Sequence, residues 1–275
     1  MSIGVFGLLL GSILAGEGMV NLNLSSGDYW RGIQFSDSAT FQPELGYTVG
    51  HWTALAWGSM DLTNENDRAM DFNRTELTLQ FDWEWRRLWM TTGFSSQKTY
   101  IPQNETTHEW FGGLHFDALL QPAIQIYYDF DKVDGWYGQL GVFPVLPVFQ
   151  TRRSPGLELS ALVGFGSTDF KGHYFRMNPD RQGDMGDGHG GHGGDGHQGD
   201  GSGGQGSGDM SHSNANSSSG VMQASLALDY PVKLSKGMLV FGTEMIMYLD
   251  DDIRSPMNEQ DDRFWLVQVS YRMSF

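Results

Sequence analysis

Three histidines set in a run of glycine and aspartate, His189, His192 and His197, lie among Asp184, Asp187, Asp195 and Asp200. Imidazole and carboxylate donors of this kind suit Zn²⁺, Cu²⁺ or Ni²⁺, so weak capture of a divalent cation is one chemistry the sequence offers. The glycines between them oppose it, because Gly-rich chain loses much conformational freedom when it closes around an ion. A hydrophilic surface loop with incidental histidines is the competing reading, and the entropy favours it. No other cofactor is implied.

Nucleophilic catalysis needs a hydroxyl beside a histidine base that a third group orients. His51, His108, His115, His173 and His212 have no such partners at recognisable spacing, and His212 with Ser213 sits in low-complexity chain without rigid support. The Gly-rich stretches lack the Lys-Ser/Thr ending of a phosphate-cradling loop. The expectation is therefore a protein that is not an enzyme.

The remaining ionisable residues are mostly carboxylates, and their spacing is regular. Within 75–85, Glu76, Thr78, Gln80, Asp82 and Glu84 alternate with Leu77, Leu79, Phe81, Trp83 and Trp85. A period of two puts the polar set on one face of a β-strand and the apolar set on the other. The same alternation runs through 20–25, 41–49, 52–59, 88–96, 108–117, 121–130, 136–143, 157–166, 221–230, 238–248 and 264–275, which makes twelve strands. Their connections alternate in length. Those at 26–40, 60–74, 97–107, 131–135, 167–220 and 249–263 are mostly long, and those at 50–51, 86–87, 118–120, 144–156 and 231–237 are mostly short. An even strand number with long loops at one end and tight turns at the other is the pattern of an outer-membrane barrel.

Alternation alone does not say which face looks outward, and a soluble sandwich or barrel would also alternate. Two features point to lipid. The segment 265–275 places Trp265, Val267, Val269, Tyr271, Met273 and Phe275 on one face, which resembles the closing-strand signal read by the barrel-assembly machinery. Trp52, Trp85, Trp89, Trp136 and Tyr230 fall near strand ends, where interfacial girdles lie. The predicted fold is all-β: a transmembrane antiparallel β-barrel of about twelve strands over 19–275, with 167–220 as one long, disordered extracellular loop. Residues 1–16 read as a signal peptide, apolar and small up to Gly16 but without a positive leading segment. No apolar run approaches the roughly 20 residues of a spanning helix. The absence of cysteine removes disulfides and thiolate metal sites. A net charge of −16 argues against a nucleic-acid partner, whose phosphates it would repel.

A local resemblance covers much of the same span. Residues 27–37 run from Gly27 through Tyr29, Trp30, Arg31 and Gly32 to Ser36 and Asp37, and Gln42-Pro43 follows on the next strand. This aromatic-Arg-Gly segment, Ser-Asp pair and Gln-Pro strand, with Ala56 to Ser59, Glu76 and Tyr127 to Phe130 beyond, resembles a porin-like family of bacterial outer-membrane proteins of unknown function. The resemblance implies a barrel and a pore in the bacterial outer membrane, and no catalytic residues. The long 167–220 segment departs from that pattern.

With the apolar faces toward lipid, the lumen receives Glu44, Glu76, Asp82, Glu84, Glu109, Asp117, Asp129, Glu158, Asp229 and Glu244, answered on strands by Arg74 and Arg272. Carboxylates in a narrow low-dielectric passage favour cations over anions. The function expected is passive passage of small polar or cationic solutes, with outer-membrane lipid, lipopolysaccharide and the assembly machinery as partners. Two alternatives stand beside it. One is a closed barrel acting in surface metal binding, adhesion or a structural role through 167–220; the other is an outer-membrane lipid hydrolase.

Overall fold

The computed structural model describes residues 16–64, 69–100, 104–176, 219–249 and 263–275. Its strands are β1 (Glu17–Ser25), β2 (Asp28–Trp30), β3 (Ile33–Ser36), β4 (Thr40–Val49), β5 (Trp52–Asp61), β6 (Phe72–Trp85), β7 (Leu88–Thr99) and β8 (Glu105–Phe116) in the first half. The second half holds β9 (Ala123–Asp129), β10 (Gly135–Val142), β11 (Val145–Leu146), β12 (Leu157–Gly166), the helix α1 (Thr168–Arg176), β13 (Gly220–Leu234), β14 (Gly237–Tyr248) and β15 (Arg263–Ser274). Twelve of the strands form one antiparallel ring. β1 pairs with both β4 and β15, β10 pairs with both β9 and β12, and every other ring strand pairs with its sequence neighbours. The sheet has no free long edge, which removes the unpaired backbone groups that open sheets must cover.

The register makes the ring two-sided without a break. Arg272 pairs with Asn21, Asn21 with Glu44, Glu44 with Trp57, Trp57 with Glu76 and Glu76 with Gln97. Farther round, Glu109 pairs with Asp129, Glu158 with Asp229, and Ala227 with Glu244. These share the inward face, and the alternate positions are large, apolar and exposed: Leu45, Leu77, Leu79, Trp110, Ile126, Leu140, Leu226, Phe241, Trp265 and Val267 among them. Leu77, Trp265 and Val267 keep more than 60% of their surface exposed, whereas inward Glu109 keeps none. That is the reverse of a water-soluble barrel with a dry centre.

The twelve ring strands coincide with the twelve alternating segments, and the connections differ from expectation in three places. The segment 26–40 is not a surface loop. It turns into the barrel as the hairpin β2–β3, whose tip residues Arg31 and Gly32 have φ of 51° and 83°. Two successive positive φ values match the twist of a tight hairpin. At Gly32 a side chain would also meet Gln223 Oε1 at 2.8 Å. The second difference is that 167–220 opens with nine helical residues, α1, which pack against the wall. Ser167 starts this helix by accepting the Phe170 N–H on its hydroxyl. Third, 144–156 carries β11 paired to β12.

The hairpin and α1 bring a hydrophobic core into one end of the lumen. Tyr137, Phe170, Met222, Tyr248, Phe264 and Val133 are buried there, with Tyr29, Trp30, Ile33, Tyr127 and Tyr174 packed on them. Each such side chain withdrawn from water contributes about 1.5–3 kcal/mol, so the hairpin and helix are held by the wall rather than by their own few hydrogen bonds.

Candidate functional site

At the plugged end the charges cross over. Arg31, at the hairpin tip, reaches the wall and donates from both terminal nitrogens to Glu109, at 2.5 and 2.8 Å. Gln97 Nε2 donates to the same carboxylate at 2.7 Å. The Arg31 guanidinium lies 3.7 Å from the centroid of the Tyr127 ring and 4.2 Å from that of Trp30. In the opposite sense Arg74, on the wall strand β6, pairs at 3.4 Å with Asp28 at the base of the hairpin, and its guanidinium sits over Trp57 at 4.6 Å. One ion pair thus has its cation on the plug and the other has its cation on the wall. Burial pulls the Arg31 pKa down, but the charge and hydrogen bond of Glu109, together with Tyr127 and Tyr174, outweigh it and the net shift is upward, so this guanidinium stays charged. Tyr174 of α1 is pushed up by burial and by the nearby Glu109 and Asp129 charges, which keeps its hydroxyl protonated.

The expected lumen residues divide into three groups. Glu109, Asp129 and Arg74 are buried within the plugged end. Asp129 accepts the backbone N–H groups of Asp131, Lys132 and Val133 and the Thr107 hydroxyl, so it shapes the following turn. Glu44, Glu76, Asp82, Glu158, Asp229 and Glu244 line the middle and far parts of the inward face, half-buried. Thr78 donates to Glu76 and Gln80 Nε2 donates to Asp82, each at 2.8 Å. Arg272, exposed, acts electrostatically on Glu44, Glu158 and Asp229. Glu84 and Asp117 are exposed at the short-turn end. Asp117 is not on a strand: β8 stops at Phe116, and the Asp117 N–H instead donates to the Arg87 carbonyl at 2.7 Å.

One further expectation shifts, and one functional residue was missed. Trp89 pairs with Glu84 and His115 and so faces the lumen rather than the outer girdle. Arg31, the cation that neutralises Glu109, lies on no ring strand, so alternation could not find it. The available signal was compositional: Tyr29, Trp30, Ile33 and Phe35 put more apolar surface into 26–40 than a solvated connection carries.

The residues expected to hold a metal, His189, His192 and His197, lie outside the described residues, as do 1–15. Among the described residues no cluster of three or more metal-type ligands occurs. His108 faces outward, its ring stacked against Phe94, and a second ring, Phe130, lies 6.5 Å from it. His51 packs on Phe81, and His173 Nε2 lies 3.5 Å from Glu105. None of these contacts is to a serine.

No family model matches the chain, and no curated protein sequence does. Among solved structures it is similar to the KdgM porin, at 7% identity and a TM-score of 0.49 over 94% of this chain and 99% of that one. It is also similar to the NanC porin, at 12% identity and a TM-score of 0.43 over 94% and 97% of the two chains. A third is the outer membrane phospholipase A from Escherichia coli, at 10% identity and a TM-score of 0.40 over 94% and 89%. At such distances the architecture of this chain rests on its own strand pairing.

Proposed function

We propose that the chain is an outer-membrane, porin-like channel for passive passage of small polar or cationic solutes. The observation that carries this reading is the unbroken two-sidedness of a closed twelve-stranded ring, apolar outside and carboxylate-rich inside. A hydrocarbon surface stabilises the outer face, and only a membrane offers one of that extent. Twelve strands enclose a bore between the side-chain-filled barrels of about eight strands and the open porins of 16. Among the described residues, the half-buried carboxylates Glu44, Glu76, Asp82, Glu158, Asp229 and Glu244 outnumber the cations Arg272 and Lys233, which share one cross-strand row of that face, and this excess favours cations.

Refolded protein in a planar bilayer under a KCl gradient tests the reading. Discrete conductance steps with a reversal potential on the cation side are expected. A silent bilayer, or anion selectivity at neutral pH, overturns it.

The plug favours a second reading, a closed barrel that acts at the surface through 167–220. Deleting residues 181–216 separates the two. Conductance survives the deletion in a channel, whereas in a surface binder the barrel never conducts and the deletion removes the binding.

A further inference from the structure

At the short-turn end the lumen wall recedes into a cavity of about 180 Å³, away from the plug. Two adjacent rows of inward side chains form it. One runs from Asp82 across Thr91 and Gly113 to Gln125 and Gln139, and the next from Trp89 across His115 to Ala123 and Gly141. Gly113 and Ala123 leave the hollow, and Trp89, His115, Phe143 and Leu162 bound it. The Leu162 side chain covers Gly141, where a Cβ would run into Leu162 Cδ2 and fall 2.9 Å from the Ala161 carbonyl oxygen.

An indole is an unusual residue to leave 48% exposed in a polar passage. Glu84 stands directly opposite Trp89 across the strand pair, and Asp82 is its diagonal neighbour, about 7–8 Å away for such pairs. Across the hollow, Gln139 Nε2 donates to Gln125 Oε1 at 3.0 Å, and this amide pair supplies polar contacts. The basic residues of the nearby turn do not fill the space: Arg86 sits over Trp85 on the outer face and Arg87 is exposed.

We propose that this cavity is a subsite for a small organic cation of the ammonium class, its charge against the Trp89 face and the Asp82 carboxylate. An aromatic face attracts a cation within about 6 Å of its centroid, and tryptophan does so best. The volume lies below the roughly 300–1,000 Å³ of pockets for drug-sized ligands, which suits a solute the size of choline. The proposal rests on the channel reading, because the solute meets the subsite on its way through the lumen.

Titration calorimetry of the refolded full chain in non-ionic detergent tests it, with choline as ligand and its neutral carbon isostere 3,3-dimethylbutan-1-ol as control. Choline is expected to bind measurably and the isostere much more weakly. Trp89→Leu and Asp82→Asn, each checked for barrel circular dichroism, are expected to weaken choline by at least about threefold. Absence of choline binding, equal binding of the isostere, or unchanged affinity in both folded variants overturns the subsite. KCl conductance of the same preparation separates the two ideas. Conductance without choline binding removes the subsite and leaves the channel; choline binding without conductance removes the channel and leaves the subsite.

Discussion

Glu109 carries no solvent exposure and accepts from both Arg31 and Gln97, so its charge is matched only while the hairpin is in place. Removing that charge leaves Arg31 buried without its partner, a change that costs about 3–5 kcal/mol for buried pairs. Glu109→Gln is therefore expected to release the hairpin tip while the ring stays folded, read as faster hydrogen exchange across 28–36 with unchanged exchange in β6 and β7. The Arg31–Glu109 pair was not readable in the sequence, since it joins positions 78 residues apart through a turn whose direction only packing decides. The inward set on the strands is different in kind. Period-2 alternation places Glu76 and Asp82 opposite Leu79 from the residues alone, and pairing then adds which carboxylates lie near Arg272. Asp117 was misplaced because the alternation of β8 continues one residue past the end of the strand at Phe116. The two faces make a paired test: Leu79→Arg puts a charge on the lipid side and costs about 2–4 kcal/mol near the midplane, while Gln80→Arg meets the lumen. Refolding yields into vesicles should fall for the first and hold for the second.

Among the elements, the ring strands announce themselves because each must present two chemically opposite faces along its whole length. The hairpin β2–β3 and the helix α1 do not, because they are surrounded by the lumen wall and bury aromatic residues without strict periodicity. Their tyrosines and tryptophans carry the information, but only a barrel already drawn shows where that surface can go. Replacing 28–36 with a short Gly-Ser link removes the Trp30, Arg31 and Tyr29 contacts while leaving β1 and β4 paired. The expected result is a folded barrel with single-channel conductance raised severalfold. Unchanged conductance would mean that the hairpin does not set the narrowest point. Phe170→Ala is the matching test for α1. Burial is nearly complete there, and the loss of about 3–5 kcal/mol expected for a large aromatic should appear as a lowered unfolding midpoint in urea.

On the scale of the whole molecule, an acidic lumen acts through its summed field, and salt screens that field. The screening length falls from about 10 Å at 0.1 M to about 3 Å at 1 M. The cation-to-anion permeability ratio should accordingly fall toward unity between those KCl concentrations. A ratio independent of salt would place selectivity in contacts closer than the screening length. The crossed polarity of the two ion pairs has a separate consequence. Residues 28–36 carry one negative and one positive side chain, Asp28 and Arg31, so the hairpin as a body is neutral. A transmembrane voltage does work of about 2.3 kcal/mol per elementary charge per 100 mV, and for a translation of this segment as a body the two contributions cancel. An opening that slides the hairpin as a body should therefore show the same dwell times at either sign of applied potential, whereas a swing about its base, which carries Arg31 farther than Asp28, should make them depend on that sign.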